Sequence, residues 1–232
     1  MSPGAAARPL FARPDFRAVA GETLRPGGLT LTLRALELAG LPHAARVADL
    51  GCGRGATARL LAECGHTVLA LDPAPDCPPG AWGRDVLPLR AVAQRLPLAG
   101  GSLDAVFCEC VLSVTGAAQA VLAECARVLK PGGVLILSDL YLRGKGACAT
   151  GAGCLAGALP VGDIAALLAA AGLAPLVFED HSRLLAELAG RLVLAGLPLA
   201  ELGLGRGCGC VSGGGPELAR PGYFLCLARV RA

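Results

Sequence analysis

Between Arg46 and Ala56 a short apolar run, Val47 to Leu50, meets three alternating glycines, Gly51, Gly53 and Gly55, and an Ala- and Leu-rich run, Ala56 to Cys64, follows at once. That pattern predicts a strand, a tight turn and a helix start. Glycine suits such a turn because it takes backbone angles other residues resist, and because a missing Cβ lets a ligand lie against the main chain. The helix then opens with free N–H groups and the positive end of its dipole aimed at that ligand. A second apolar run, Thr67 to Leu71, ends in Asp72, about twenty residues beyond Gly51. An acid at the tip of the second strand is placed to accept hydrogen bonds from two ribose hydroxyls. The two units together predict a nucleoside-binding half-sheet.

Strand and helix patterns go on alternating to the end of the chain. Helices are predicted over Leu29 to Ala39, Ala117 to Leu129, Val161 to Ala171 and Arg183 to Leu194. Further strands are predicted over Val86 to Val92, Leu103 to Cys108, Val134 to Leu137, Leu173 to Phe178 and Tyr223 to Val230. The segment Pro73 to Gly83 holds four prolines and reads as a loop where this architecture usually has a helix. Alternation of this kind means an α/β fold, Rossmann-like and doubly wound, with a mostly parallel seven-stranded sheet and an antiparallel last strand. A chain of 232 residues can bury one full core, so a single domain is expected. Its parts are an N-terminal arm over 1–27 (loose over 1–24), a cofactor-binding core over 28–142 and a C-terminal part over 143–232 that shapes the acceptor site.

A net charge of +3 and 3% aromatic residues argue against a nucleic-acid partner. The longest apolar windows, near 155–177 and 184–204, are broken by Asp163, or by Glu187, Arg191, Pro198 and Glu201, and neither gives the uncharged length a membrane span needs. The first twenty residues carry Arg8, Arg13, Asp15 and Arg17 and no apolar stretch of a secretory signal. A cytoplasmic protein is expected. Its eleven cysteines then read as free thiols, metal or metalloid ligands, or core fillers rather than a disulfide framework.

Gly51-x-Gly53-x-x-Ala56 would satisfy a dinucleotide fingerprint, which keeps a nucleotide-cofactor oxidoreductase in view. Asp49, two residues before the first glycine, points elsewhere, because a carboxylate there can receive an ammonium group that a dinucleotide lacks. Asp49-Leu-Gly-Cys-Gly-Arg-Gly followed by Leu69-Ala-Leu-Asp72 resembles the first two motifs of class I S-adenosylmethionine-dependent methyltransferases. Leu96-Pro-Leu-x-x-Gly-Ser-Leu-Asp104-Ala-Val-Phe and Glu124-Cys-Ala-Arg-Val-Leu-Lys-Pro-Gly-Gly133 resemble the next two, in the family's order and spacing. The resemblance covers roughly residues 46–140 and implies S-adenosyl-L-methionine as cofactor. It implies that Gly51, Cys52, Gly53 and Gly55 line the methionine part, that Asp49 lies near its amino group, that Asp72 with Pro73 holds the ribose, and that Cys108 borders the site. The family often has Asp just before Ala93. Here the residue is Val92, so the adenine is expected against main-chain groups of Val92 and Ala93 and apolar packing.

On the acceptor side, Cys108-Glu109-Cys110-Val-Leu-Ser, just past the fourth strand, and Gly153-Cys154-Leu-Ala-Gly-Ala158, expected to open the helix after the fifth strand, are similar to segments of arsenite methyltransferases, in which two thiolates hold trivalent arsenic. A soft metalloid suits soft thiolates and keeps its lone pair for the methyl. The resemblance implies Cys110 and Cys154 as the catalytic pair, with Cys208 and Cys210 as further metalloid ligands and no firm metal site. The arsenite enzymes often have a further cysteine ahead of the glycine turn, which this chain lacks. The acceptor is thus a small molecule or a metalloid. The alternatives are an ordinary metabolite, as in quinone-type methyltransferases, which the same motifs resemble, and a non-catalytic nucleoside-binding protein. Asp139 reads as a substrate contact or a helix cap, His181 as a general base or a solvated loop residue, and Trp82 as a possible cover for adenine.

Overall fold

A computed structural model describes residues 12–77, 80–143, 155, 157–197 and 220–231. Helices α1 (Pro14–Ala20) and α2 (Gly28–Ala39) precede β1 (Arg46–Leu50), α3 (Ala56–Glu63), β2 (Thr67–Asp72), β3 (Val86–Arg90) and β4 (Leu103–Glu109). There follow α4 (Leu112–Thr115), α5 (Ala118–Val128), β5 (Leu129–Arg143), β6 (Leu159–Pro160), α6 (Val161–Ala170), β7 (Leu173–Asp180), α7 (Ser182–Leu194) and β8 (Arg220–Val230).

The strands form one sheet in the order β3-β2-β1-β4-β5-β8-β7, with β6 on the side of β5. Neighbours from β3 to β5 run parallel, and β8 runs antiparallel to both β5 and β7. The central strands are buried on both faces, which is why Arg46–Leu50 and Leu103–Glu109 read as nearly unbroken apolar runs. One face packs Ala48, Leu50, Val106 and Leu135 against Val121, Leu122 and Cys125 of α5 and Ile164 and Leu168 of α6. The other packs Val47, Ala105, Phe107 and Ile136 against Leu31 and Ala35 of α2, Ala58 and Leu61 of α3, and Leu185 of α7. Each fully buried Leu or Phe contributes roughly 1.5–3 kcal/mol of transfer free energy.

Four expectations are corrected. The described residues hold eight strands rather than seven, because Leu159–Pro160 pairs with Tyr141 and Leu142. The start of the chain is not all loose arm: α1 buries Phe16 and Ala20, one turn apart, against Leu188 and Leu192 of α7. A short helix, α4, follows β4 where none was expected. Leu155, Gly157 and Ala158 lie in a turn and coil ahead of β6, and the helix starts only at Val161. Between Pro73 and Gly83 the described residues hold no helix, as the prolines imply. Among the described residues no helix is long and apolar enough to cross a membrane.

Candidate active site

The carboxyl ends of β1, β2, β4 and β5 open on one edge of the sheet, where ligands bind in open α/β folds. At the end of β1 the chain turns through Gly51, Gly53 and Gly55, whose φ angles are 74°, 49° and 73°. A side chain there would strain the backbone. The three differ in what a Cβ would meet. At Gly51 it would lie 2.6 Å from Cγ2 of Val111, and at Gly55 2.5 Å from the Trp82 ring, whereas at Gly53 nothing is nearer than a backbone oxygen at 4.0 Å. Gly51 and Gly55 therefore admit protein side chains, and Gly53 alone leaves room for a ligand. Trp82 covers the turn at Gly55.

The turn is fastened to β2. Gly51 and Cys52 both donate their N–H to the Leu71 carbonyl, at 2.7 and 3.1 Å. Asp72 accepts the Gly53 N–H at 3.0 Å on one carboxylate oxygen and, across Pro73, the Ala74 N–H at 2.7 Å on the other. The Cys52 side chain is buried, and burial pushes its thiol well up, so it packs as a neutral group. Beyond β3, Val92 is half exposed and bridges to Arg95, while Ala93 is buried. Cys108 takes another direction. Its side chain is turned into the core beside α5, and a hydrogen bond with Cys125, together with burial, pushes its thiol far up.

Asp49 ends up on the face of the sheet covered by α2 and α3. It is 3% exposed, and one carboxylate oxygen, Oδ2, is buried with no hydrogen-bond partner. Burial pushes its carboxyl up to about 8, the like charge of Glu109 adds to the rise, and Arg25 opposes it. Glu109, at the end of β4, is buried on the same face and pairs with Arg25 at 2.7 Å. Thr57 of α3 donates to Glu109 at 2.9 Å and Thr32 of α2 at 3.2 Å, while Arg25 also donates to the Gly28 carbonyl at 2.8 Å. The sequence reading missed Arg25, Thr32, Thr57 and the role of Glu109. One signal was present: Ala105, Phe107 and Glu109 alternate along β4, so the acid shares the face of two core residues.

Cys110 follows directly, with φ at 55° and its N–H on the Ser138 carbonyl at 2.7 Å. Its Sγ lies 3.2 Å from the Tyr223 Oη, which is 3.2 Å from the Ser138 Oγ. Gly157 reaches the same region: its N–H donates to the Ser113 carbonyl at 3.1 Å, and a Cβ on it would lie 2.5 Å from that oxygen. Cys154, Cys208 and Cys210 lie outside the described residues. No group of three or more His, Cys, Asp or Glu side chains suited to a metal occurs among the described residues.

Asp139 proves to be a cap. It is 1% exposed and accepts the N–H groups of Ser113 at 3.1 Å and Leu140 at 2.7 Å. His181 leads into α7, with Nε2 on Glu179 at 2.9 Å. Asp104 ties strand starts together through the Arg46 N–H at 2.8 Å and Lys130 at 2.6 Å.

Residues 48–137 match the family described as "Methyltransferase domain". A ubiquinone biosynthesis O-methyltransferase of Xanthomonas oryzae pv. oryzae is 38% identical over 124 residues, half of this chain and half of the relative. The chain thus spans about half the length of the curated relatives it matches. Such relatives fit the quinone-type alternative rather than the arsenite group. The [4+2]-cyclase SpnF has the same fold, with a TM-score of 0.74 and 22% identity over 96% of this chain and 93% of that one. Phosphoethanolamine N-methyltransferase 2 of Haemonchus contortus, solved with phosphomonomethylethanolamine and S-adenosylhomocysteine, has a TM-score of 0.72 and 17% identity over 94% of this chain and 56% of that one.

Proposed function

We propose that this protein is an S-adenosylmethionine-dependent methyltransferase acting on a small organic acceptor, with a hydroxylated ring of the quinone-precursor kind as the leading substrate class. The observation that carries this reading is the unpartnered, buried oxygen of Asp49 beside Asp72 and the open Gly53, within the stretch that matches the methyltransferase domain. These residues fit the cofactor. Asp49 offers an ammonium group the acceptor atom it lacks. Asp72 has one main-chain N–H on each oxygen and keeps lone pairs for two ribose hydroxyls. The main chain at Val92 and Ala93 borders the adenine side.

When bound, S-adenosylmethionine supplies a methyl group already activated on a sulfonium. What remains for the protein is mainly to hold a nucleophile in line. The end of β4, the middle of β5 and the start of β8, with Cys110, Ser138 and Tyr223, form the wall nearest the acceptor. Tyr223 is fully buried, so it orients Cys110 rather than meeting substrate. Half-burial of the Cys110 thiol at this edge favours one second reading, a soft acceptor such as arsenite held through thiols.

The test is turnover. The full chain, reduced, is incubated with S-adenosylmethionine and a set of catechol and phenol acceptors, with arsenite as a separate arm, and products are read by mass spectrometry. A 14-dalton gain on a ring hydroxyl is the expected result. Methylated arsenic, lost on Cys110→Ser, would move the acceptor to the thiol class. Failure with every acceptor while S-adenosylmethionine still binds would favour a nucleoside-binding protein without methyl transfer.

A further inference from the structure

Two buried carboxylates share one cation at the ends of β1 and β4. Asp49, Glu109 and Arg25 are 3%, 8% and 4% exposed. Arg25 comes from the segment ahead of α2 and is directed at Glu109, to which Thr32 and Thr57 also donate. No donor among the described residues reaches the Asp49 Oδ2. The other titratable groups around Asp49 are Asp72 at the end of β2, a second like charge, and the neutral buried Cys52 thiol. Those facing Arg25 are Tyr223 and Cys110. Burying a charge without a partner is costly, so an ionised Asp49 beside Glu109 needs either a proton or a cation brought from outside.

We infer that Asp49 holds a proton in the free protein and surrenders it when the cofactor's ammonium group arrives, so that cofactor capture is linked to release of a proton and is tuned by the Arg25–Glu109 pair. This rests on the proposed S-adenosylmethionine site. The exchange is balanced: a neutral carboxyl and a free cation become a carboxylate–ammonium pair, and the proton passes to buffer. No covalent bond of the ligand changes. Burial pushes the Asp49 carboxyl up to about 8, which agrees with this geometry. Glu109 sets the device because its own charge makes a second anion on this face unfavourable, and Arg25 limits the effect.

The linkage is read by calorimetric titration of the full chain with S-adenosylhomocysteine at pH 7, in two buffers of different ionisation enthalpy. The expected result is release of about 0.9 proton per ligand, with Kd falling about tenfold between pH 6 and pH 7. On the unaltered protein, 5′-methylthioadenosine, which keeps the nucleoside and lacks the ammonium, is expected to bind without proton release. Asp49→Asn is expected to abolish the release with S-adenosylhomocysteine. Equal binding enthalpies in the two buffers would overturn the inference and leave the cofactor reading standing. Failure of both ligands to bind the unaltered protein would overturn both.

Discussion

β1 and β5 each carry a buried aspartate near the ligand-facing edge of the sheet, on opposite faces. At β5, Asp139 is complete: the Ser113 N–H of α4 fills one oxygen and the Leu140 N–H of β5 the other. At β1, Asp49 is unfinished, with one oxygen bare and a second acid, Glu109, across from it. Burial raises the carboxyl in both, so burial does not tell them apart. The hydrogen-bond census does. A buried carboxylate oxygen that the chain itself leaves without a donor calls for a proton, a water or a ligand, whereas a satisfied one is architecture.

Substitutions can break or sharpen this contrast. The largest effect is expected at Arg25, the cation paired with Glu109. Arg25→Met leaves Glu109 buried without its partner and should cost about 3–5 kcal/mol in denaturant unfolding. Next comes the cap: Asp139→Ala strands two buried N–H groups and should cost about 2–4 kcal/mol, with the S-adenosylhomocysteine affinity of the folded protein nearly unchanged. Asp49→Asn should act in the opposite sense. It should stabilise the free protein at pH 7 by about 1–3 kcal/mol while weakening S-adenosylhomocysteine at least about tenfold in calorimetry.

The pH dependence fixes the sign at Asp49. Its carboxyl goes from an ordinary 3.8 to about 8 in the folded protein, so the folded state holds the proton more tightly. The stability this contributes is full below about pH 4 and is lost as pH rises through about 8. The advantage of the Asn variant over the unaltered protein should therefore grow between pH 5 and pH 8 in paired unfolding curves, and a constant difference would contradict the raised carboxyl. The smallest effect on stability is expected at Gly53→Ala. Its positive φ costs about 1 kcal/mol and its methyl meets open space, so thermal unfolding should shift little while cofactor affinity falls.

Local pattern made most of the nucleotide half legible. The glycine turn, Asp49 and Asp72 could be placed because each element runs directly into the next, and a strand–turn–helix leaves little freedom in where they point. The Lys130-Pro-Gly-Gly133 turn was readable for the same reason. What escaped depends on distance along the chain. Arg25 and Glu109 are 84 residues apart, and nothing local marks them as partners. Cys108 and Cys110 look alike in sequence, yet β4 ends at Glu109 and the left-handed backbone of Cys110 takes it off the face that buries Cys108 and leaves it at the edge. Asp139 was readable as a substrate contact or a helix cap, and only the fold decides between them, because α4, four residues long, is too short to announce itself. The arm became α1 because Phe16 found a surface on α7 that only the folded chain provides.

The central claim is that the β1 edge is built for S-adenosylmethionine rather than for a dinucleotide. Thermal unfolding of the full chain, with saturating S-adenosylmethionine and separately with reduced nicotinamide dinucleotide, tests it most directly. A ligand bound only by the folded state raises the midpoint by mass action. The expected result is a rise of several degrees with S-adenosylmethionine and none with the dinucleotide. A rise with the dinucleotide and none with S-adenosylmethionine would contradict the claim.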